Sequence, residues 1–172
     1  VSVDTMRHEV ADAALEAGAV VVNDVSGGLA DPAVLDVVAD AGATYVAMHW
    51  RAHSDRMRDF AVYDGPGGVV AAVCRELEER VEAIRAAGVA DDRIVLDPGL
   101  GFAKTAAHSW ELLRDLDPLL ATGHRLLVGA SRKTFLGTLL ADDAGPRPVG
   151  EREAAHLAVV LELARAGVWG VR

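Results

Sequence analysis

Short runs of consecutive apolar residues punctuate this chain, and each ends on a polar residue or glycine at the start of a more polar stretch. Six can be counted: Val1 to Val3 before Asp4, Val20 to Val22 before Asn23, Tyr45 to Met48 before His49, Ile94 to Leu96 before Asp97, Leu126 to Val128 before Gly129, and Val168 to Val171 before Arg172. Runs this short and this continuously apolar predict strands of a parallel sheet, buried on both faces. Between them the apolar period lengthens. Val70, Val73, Leu77, Val81 and Ile84 recur at helical spacing and give one helix a single buried stripe. Asp31-Pro32 opens a helix that Gly42 closes, while Gly18, Gly88, Gly123 and Gly167 close four others. Strand, helix, strand, helix defines an α/β chain. One long stretch follows neither period: Arg51 to Gly68, directly after a strand, with His53, Asp55, Arg56, Arg58, Asp59 and Pro66. It reads as a loop over a site or as a surface insertion.

Open doubly wound sheets and (β/α)8 barrels both alternate in this way, but a barrel places polar residues at the carboxyl ends of several strands around one shared cavity. Nearly every strand here ends so. No Gly-x-Gly-x-x-Gly follows an early strand and no Gly-x-x-x-x-Gly-Lys is present, so dinucleotide and nucleoside triphosphate sites lack support. The expected fold is a (β/α)8 barrel with about six of its eight strands in residues 1–172, as one domain. Because a barrel of this kind takes roughly 250 residues, the chain is expected to lack two leading βα units and whatever follows the last strand.

Composition narrows the partners. The 172 residues are 51% hydrophobic and carry a net charge of −9 with no basic run, which argues against nucleic acid or an anionic membrane as partner. A single cysteine, Cys74, allows no intrachain disulfide and no cysteine-based metal cluster, which fits a reducing compartment. No apolar run reaches membrane-spanning length, and a cytoplasmic protein is expected. Arginine outnumbers lysine fifteen to two, leaving Lys104 and Lys133 as the only lysines.

Candidate chemistry centres on Leu96-Asp97-Pro98-Gly99-Leu100-Gly101-Phe102-Ala103-Lys104. The strand delivers a carboxylate into a turn: Pro98 pushes Asp97 toward extended backbone, and Gly99 and Gly101 remove the Cβ atoms that would keep a flat ligand off the loop. A plain βα turn with Asp97 capping Gly99 or Leu100 would use the same residues. His49 and His53, four apart, suggest zinc, but no third ligand lies near them in sequence, and no metal ligand is assigned. A Schiff-base aldolase would use Lys133 but leave Asn23 and Asp97 unexplained.

Together with Val1-Ser2-Val3-Asp4-Thr5, Val22-Asn23-Asp24-Val25-Ser26-Gly27-Gly28, Met48-His49-Trp50, Gly129-Ala130-Ser131-Arg132-Lys133 and Trp169-Gly170-Val171-Arg172, that segment resembles the dihydropteroate synthases, in order and spacing, with an actinobacterial flavour. The resemblance implies a pterin-binding (β/α)8 barrel of folate biosynthesis. It implies a transferase that joins 6-hydroxymethyl-7,8-dihydropterin pyrophosphate to p-aminobenzoate, and a target of sulfonamides. It also implies roles. Asp97 and Asn23 would hold the pterin edge, Asp4 the far end of the ring system, and Lys133 the carbonyl and a ring nitrogen. Met48, Phe102, Val25 and Gly129 would line the slot. Arg172 would bind pyrophosphate; Thr134, Ser131 and Phe102 would hold p-aminobenzoate on a neutral, mostly apolar ledge. Mg2+ is implied as cofactor, with its ligand in the two leading units. A homodimer is expected, through the helix Glu151 to Ala166. The chemistry is consistent with the residue types: a pterin edge shows two donors to a carboxylate and an acceptor to a cation or amide. Two neighbouring readings share the barrel: a methyltetrahydrofolate-dependent methyltransferase, against which Ser131-Arg132-Lys133 argues, and a non-catalytic pterin-binding paralogue.

Overall fold

The computed structural model describes all 172 residues. Its strands follow the predicted runs closely: β1 (Ser2–Asp4), β2 (Val21–Asp24), β3 (Thr44–Met48), β4 (Ile94–Asp97), β5 (Arg125–Val128) and β6 (Gly170–Val171). The helices are α1 (His8–Glu16), α2 (Ala33–Ala41), α3 (Gly68–Ala86), α4 (Ala106–Arg114), α5 (Asp117–Leu120), α6 (Thr134–Leu139) and α7 (Glu153–Arg165). Every strand pairing is parallel, and the spatial order is β1-β2-β3-β4-β5-β6. That order decides between the two α/β architectures. Right-handed crossovers that always step the same way leave every helix on one face, whereas a doubly wound sheet reverses its order part-way.

The sheet also curls. Five spacings of about 4.8 Å would hold the outer strands of a flat sheet about 24 Å apart. Yet Arg172, directly after β6, places Nη1 2.6 Å from Oδ2 of Asp4 on β1. The result is a six-stranded half-barrel with its helices outside.

Strand register sorts the residues by face. Asp4 lies beside Asn23 and Asn23 beside Val46; two residues further along β3, Met48 lies beside Asp97. Val95 lies beside Arg125 and Leu127 beside Gly170. Because side chains alternate along a strand, Asp4, Asn23, Met48, Asp97, Gly129 and Arg172 share the inner, concave face. The intervening residues Val22, Tyr45, Ala47, Leu96, Leu126 and Val128 point outward and belong to the main hydrophobic cluster beneath the helices. Onto them α3 lays Val69, Ala72, Val73, Leu77, Val81 and Ile84, all buried; Val70, expected in that stripe, is only half-buried.

The expectation that all strands are buried on both faces holds for β3 and β4, whose residues are all buried. It fails at the ends of the sheet: Ser2 and Asp4 on β1 and Val171 on β6 are exposed, because an outermost strand has a neighbour on one side only. Leu77 is fully buried at the centre of the α3 stripe. Leu77→Ala is expected to cost about 2–5 kcal/mol, read as a lowered urea midpoint with unchanged slope.

Candidate functional site

At the tip of β4, Asp97 is 2% exposed. One carboxylate oxygen, Oδ1, accepts the Gly99 N–H at 2.8 Å, so the turn-capping role is real; the other oxygen makes no protein hydrogen bond. Gly99 has φ +65°, and a Cβ there would lie 2.6 Å from the His49 carbonyl oxygen, so only glycine lets the loop fold back on β3. Burial pushes the Asp97 carboxyl up, and the Gly99 N–H together with the charges of Arg172, Lys133 and Lys104 pulls it back. A buried carboxylate among three cations, with one oxygen unused, is a receptor for paired N–H donors.

Asn23 stands nearby on the same face. Its Nδ2 donates to Asp4 Oδ2 at 3.0 Å, which fixes the amide's orientation because a carboxylate only accepts. Asn23 is 4% exposed and its Oδ1 is buried without a partner. The unpaired atom is therefore an acceptor, where the sequence reading gave Asn23 the part of a donor. Arg172 crosses from the far end of the sheet to Asp4, passing over Gly129, where an added Cβ would sit 3.7 Å from Arg172 Nε. Lys133 holds its ammonium 4.0 Å from the centroid of the Phe102 ring, and its pKa is lowered by burial. Met48 is fully buried on the inner face, Val25 half-buried in the turn after β2.

The expected p-aminobenzoate residues are only partly gathered. Phe102, Lys133 and Thr134 line a cavity of about 600 Å3 between α4 and α6, but Ser131 does not. The same cavity takes in Arg58, Lys104 and Arg132, so it is more basic than the neutral ledge expected from sequence.

Behind the Asp97 loop, on the outer face, lies a second polar cluster that sequence reading did not assemble. Lys104 Nζ sits 2.8 Å from His49 Nδ1 and donates to the Phe102 carbonyl at 3.1 Å. His49 Nε2 lies 2.9 Å from Glu76 Oε2 on α3, and Glu76 is also bound through both oxygens by Arg51. Arg51 goes on to tie down the long loop, donating to the Phe60 and Val62 carbonyls and covering the Tyr63 ring at 4.0 Å. With both nitrogens engaged, His49 is no zinc ligand, and His53 is exposed, edge-on to Trp50. Asp24 was also missed. It is fully buried and accepts from the Tyr45 hydroxyl, from the Ser26 N–H and hydroxyl, and from the Gly28 N–H, which fixes the turn carrying Val25. The sequence signal for both was the alternation: Asp24 and His49 sit one residue beyond Asn23 and Met48 and so face the helices.

The whole chain, residues 1–172, matches the family of pterin binding enzymes. The chain belongs to that family. It is 50% identical to the dihydropteroate synthase of Mycobacterium leprae, over 100% of this chain and 60% of that protein. It is 41% identical, over 92% of its length, to the inactive dihydropteroate synthase 2 of the same organism, covering 55% of that protein. Among solved structures it resembles dihydropteroate synthase from Thermus thermophilus in complex with 6HMPPP, with TM-score 0.89 and 39% identity over 100% of this chain and 65% of that one. The chain thus spans about three fifths of the length of the curated synthase it matches. No helix in it is long and apolar enough to cross a membrane.

Mg2+ does not fit the donors set around Asp97. Asp97 faces cations, and Asp4 gives Oδ2 to both Asn23 and Arg172. Three possible ligands, His8, Glu9 and Asp31, gather at the start of α1, where His8 Nδ1 and Asp31 Oδ2 are already 2.7 Å apart.

Burial pushes His49 from 6.5 down to about 4, against the pull of Glu76. A histidine depressed in the folded state binds its proton more weakly there than when unfolded. The stability tied to neutral His49 is therefore complete above 6.5 and is lost as pH falls toward 4. The loss is expected to reach about 3 kcal/mol. Urea unfolding at a series of pH values checks it: His49→Gln is expected to remove that part of the slope.

Proposed function

We propose that this chain is the larger part of a dihydropteroate synthase of folate biosynthesis. The enzyme condenses 6-hydroxymethyl-7,8-dihydropterin pyrophosphate with p-aminobenzoate to give 7,8-dihydropteroate and pyrophosphate. The observation that carries the reading is the inner face at the carboxyl ends of the strands, where a buried carboxylate with one free oxygen, an orphaned amide oxygen and an ammonium above an aromatic ring converge. Asp97 accepts from the pterin's amino group and ring N–H, Asn23 Oδ1 accepts a further N–H, and Asp4 orients Asn23 toward the far end of the ring. Lys133 donates to the pterin carbonyl and a ring nitrogen. Met48, Val25, Phe102 and Gly129 form the slot.

The chemistry asked of the residues is electrostatic. The bond between the exocyclic CH2 and the pyrophosphate oxygen breaks, its electron pair leaves on pyrophosphate, and the positive charge on carbon spreads into the ring, as in an SN1 reaction. Arg172 meets the departing anion: a guanidinium has five N–H donors, and the single bond to Asp4 leaves others free. The p-aminobenzoate amine, held beside Phe102 and Thr134, adds to the carbon and gives up a proton to solvent. It needs positioning more than a base. The carboxylate of p-aminobenzoate finds Arg58 and Arg132 in the same cavity. Mg2+, where it is bound with pyrophosphate, would neutralise part of the departing anion's charge.

The intact protein is proposed to be cytoplasmic and homodimeric. In support of the dimer, α7 packs through Ala155, Val159 and Leu163 while Leu157 and Leu161 stay exposed beside a largely apolar groove of about 810 Å3. The greater identity to the synthase than to the inactive paralogue of the same organism supports catalysis.

Pyrophosphate release by the full-length enzyme is expected only when p-aminobenzoate is present. Tight pterin binding without release would assign it instead to the non-catalytic class. Asp97→Asn is expected to cost about 1.5–3 kcal/mol of pterin binding for each charge-assisted bond lost, read by calorimetry on a folded variant. A sulfonamide is expected to give measurable heat only after pterin, pyrophosphate and Mg2+ are bound, and Arg172→Ala is expected to remove that dependence. Equal sulfonamide affinity for the empty enzyme would refute ordered binding.

A further inference from the structure

We infer that Lys104 is a positioning residue of the pterin site, held behind the Asp97 loop by His49 and the Phe102 carbonyl so that its ammonium balances the buried carboxylate. The inference rests on the pterin reading of Asp97 and extends it to a residue to which that reading gives no role.

Three cations act on Asp97: Arg172, Lys133 and Lys104. The first two lie on the ligand's side and are taken up by it, Lys133 by the pterin carbonyl and Arg172 by pyrophosphate. Lys104 is bonded to His49 and to the Phe102 carbonyl, and no pterin atom is assigned to it, so it keeps its charge for Asp97 when the pterin is seated. Its bonds hold it there. Lysine only donates, so His49 Nδ1 accepts and the ring proton sits on Nε2, aimed at Glu76. Each member of the chain Lys104, His49, Glu76, Arg51 then has a partner of the right kind. The bond from Lys104 to the Phe102 carbonyl also fixes the residue whose ring lies under Lys133.

Packing gives no reason to place an ammonium here. Lys104 is 9% exposed, and an apolar side chain of similar length would fill the space without the cost of stripping a charge of water. The backbone is strained to put it there. Ala103 and Arg132 are the two non-glycine residues with left-handed φ, +46° and +60°, and each immediately precedes one of the two lysines. Such strain costs about 1–3 kcal/mol per residue and gathers at functional sites.

The arrangement carries a pH signature. The groups facing Lys104 are Asp97 at the end of β4, His49 and Arg51 after β3, Glu76 on α3 and Lys133 after β5. Burial pushes Lys104 down to about 7, with Asp97 and Glu76 opposing. As pH rises through that value Lys104 loses its proton, Asp97 loses a balancing charge, and pterin binding weakens.

The test is calorimetric titration of the full-length enzyme with 6-hydroxymethyl-7,8-dihydropterin between about pH 6 and 9, for the parent, Lys104→Arg, Lys104→Met and Glu76→Gln. The parent is expected to lose about tenfold in affinity over the alkaline limb, one pKa unit of coupling being tenfold. Lys104→Arg, which does not titrate, is expected to bind as the parent does at pH 6 and to lack that limb. Glu76→Gln is expected to move the limb to lower pH. Lys104→Met is expected to bind about tenfold more weakly already at pH 6 while unfolding at the same or higher urea concentration, which separates the role from a structural one. If Lys104→Met fails to fold, the other two variants carry the test. A limb unchanged in Lys104→Arg, or parental affinity and pH profile in Lys104→Met, overturns the inference and leaves the pterin reading standing. No pterin binding by the parent at any pH overturns both.

Discussion

A carboxylate buried at the tip of a strand is the constraint around which this structure is arranged. Asp97 is 2% exposed, and an isolated charge in such a place would protonate rather than stay ionised. What keeps it useful is its surroundings: a backbone N–H from a loop that only glycine permits, and cations from three separate segments of the chain. Two of those segments, the turns around Lys104 and Lys133, carry the chain's left-handed non-glycine residues. The strain and the buried charge are thus in the same place. Each left-handed residue immediately precedes a lysine whose charge acts on that carboxylate.

The curl of the sheet makes this convergence possible. Strands in sequential order, all parallel, carry their crossover helices on the outside and turn the inner face into a concave wall. Asp4 and Arg172, at opposite ends of the chain, meet across it. Asp4 thereby serves two neighbours, orienting the Asn23 amide and holding Arg172, and leaves an acceptor and several donors pointing into the same space.

The outer face carries a different polarity problem and solves it differently. Asp24 satisfies its charge entirely with hydrogen bonds and serves the fold, fixing a turn. His49 and Glu76 form instead part of a line of paired groups running from Lys104 to Arg51, which joins the back of the ligand loop to the long loop after β3. The long loop, read from sequence as a free cover or an insertion, is anchored near its start and middle by one guanidinium.

Much of this was legible in the sequence, and for a definite reason. Continuous apolar runs report burial on both faces, helical periods report one, and glycine and proline report backbone angles; all three are local, so the strands, the α3 stripe and the polar strand ends could be read residue by residue. The resemblance then supplied roles for Asp4, Asn23, Asp97, Lys133 and Arg172. Other features depend on distance in space. Exposure of β1 and β6 follows from which strands end the sheet. The acceptor left on Asn23 follows from Asp4 claiming its amide nitrogen, and the basic character of the cavity beside Thr134 from Arg58 arriving on a loop more than seventy residues away in sequence. Lys104 was conspicuous as one of two lysines, but its partners lie on two other segments, and no spacing along the chain brings His49 and Glu76 to it. Sequence determined which residues stand at strand ends; only the tertiary structure decided which face each takes, because facing is set by register between strands that are far apart in the chain.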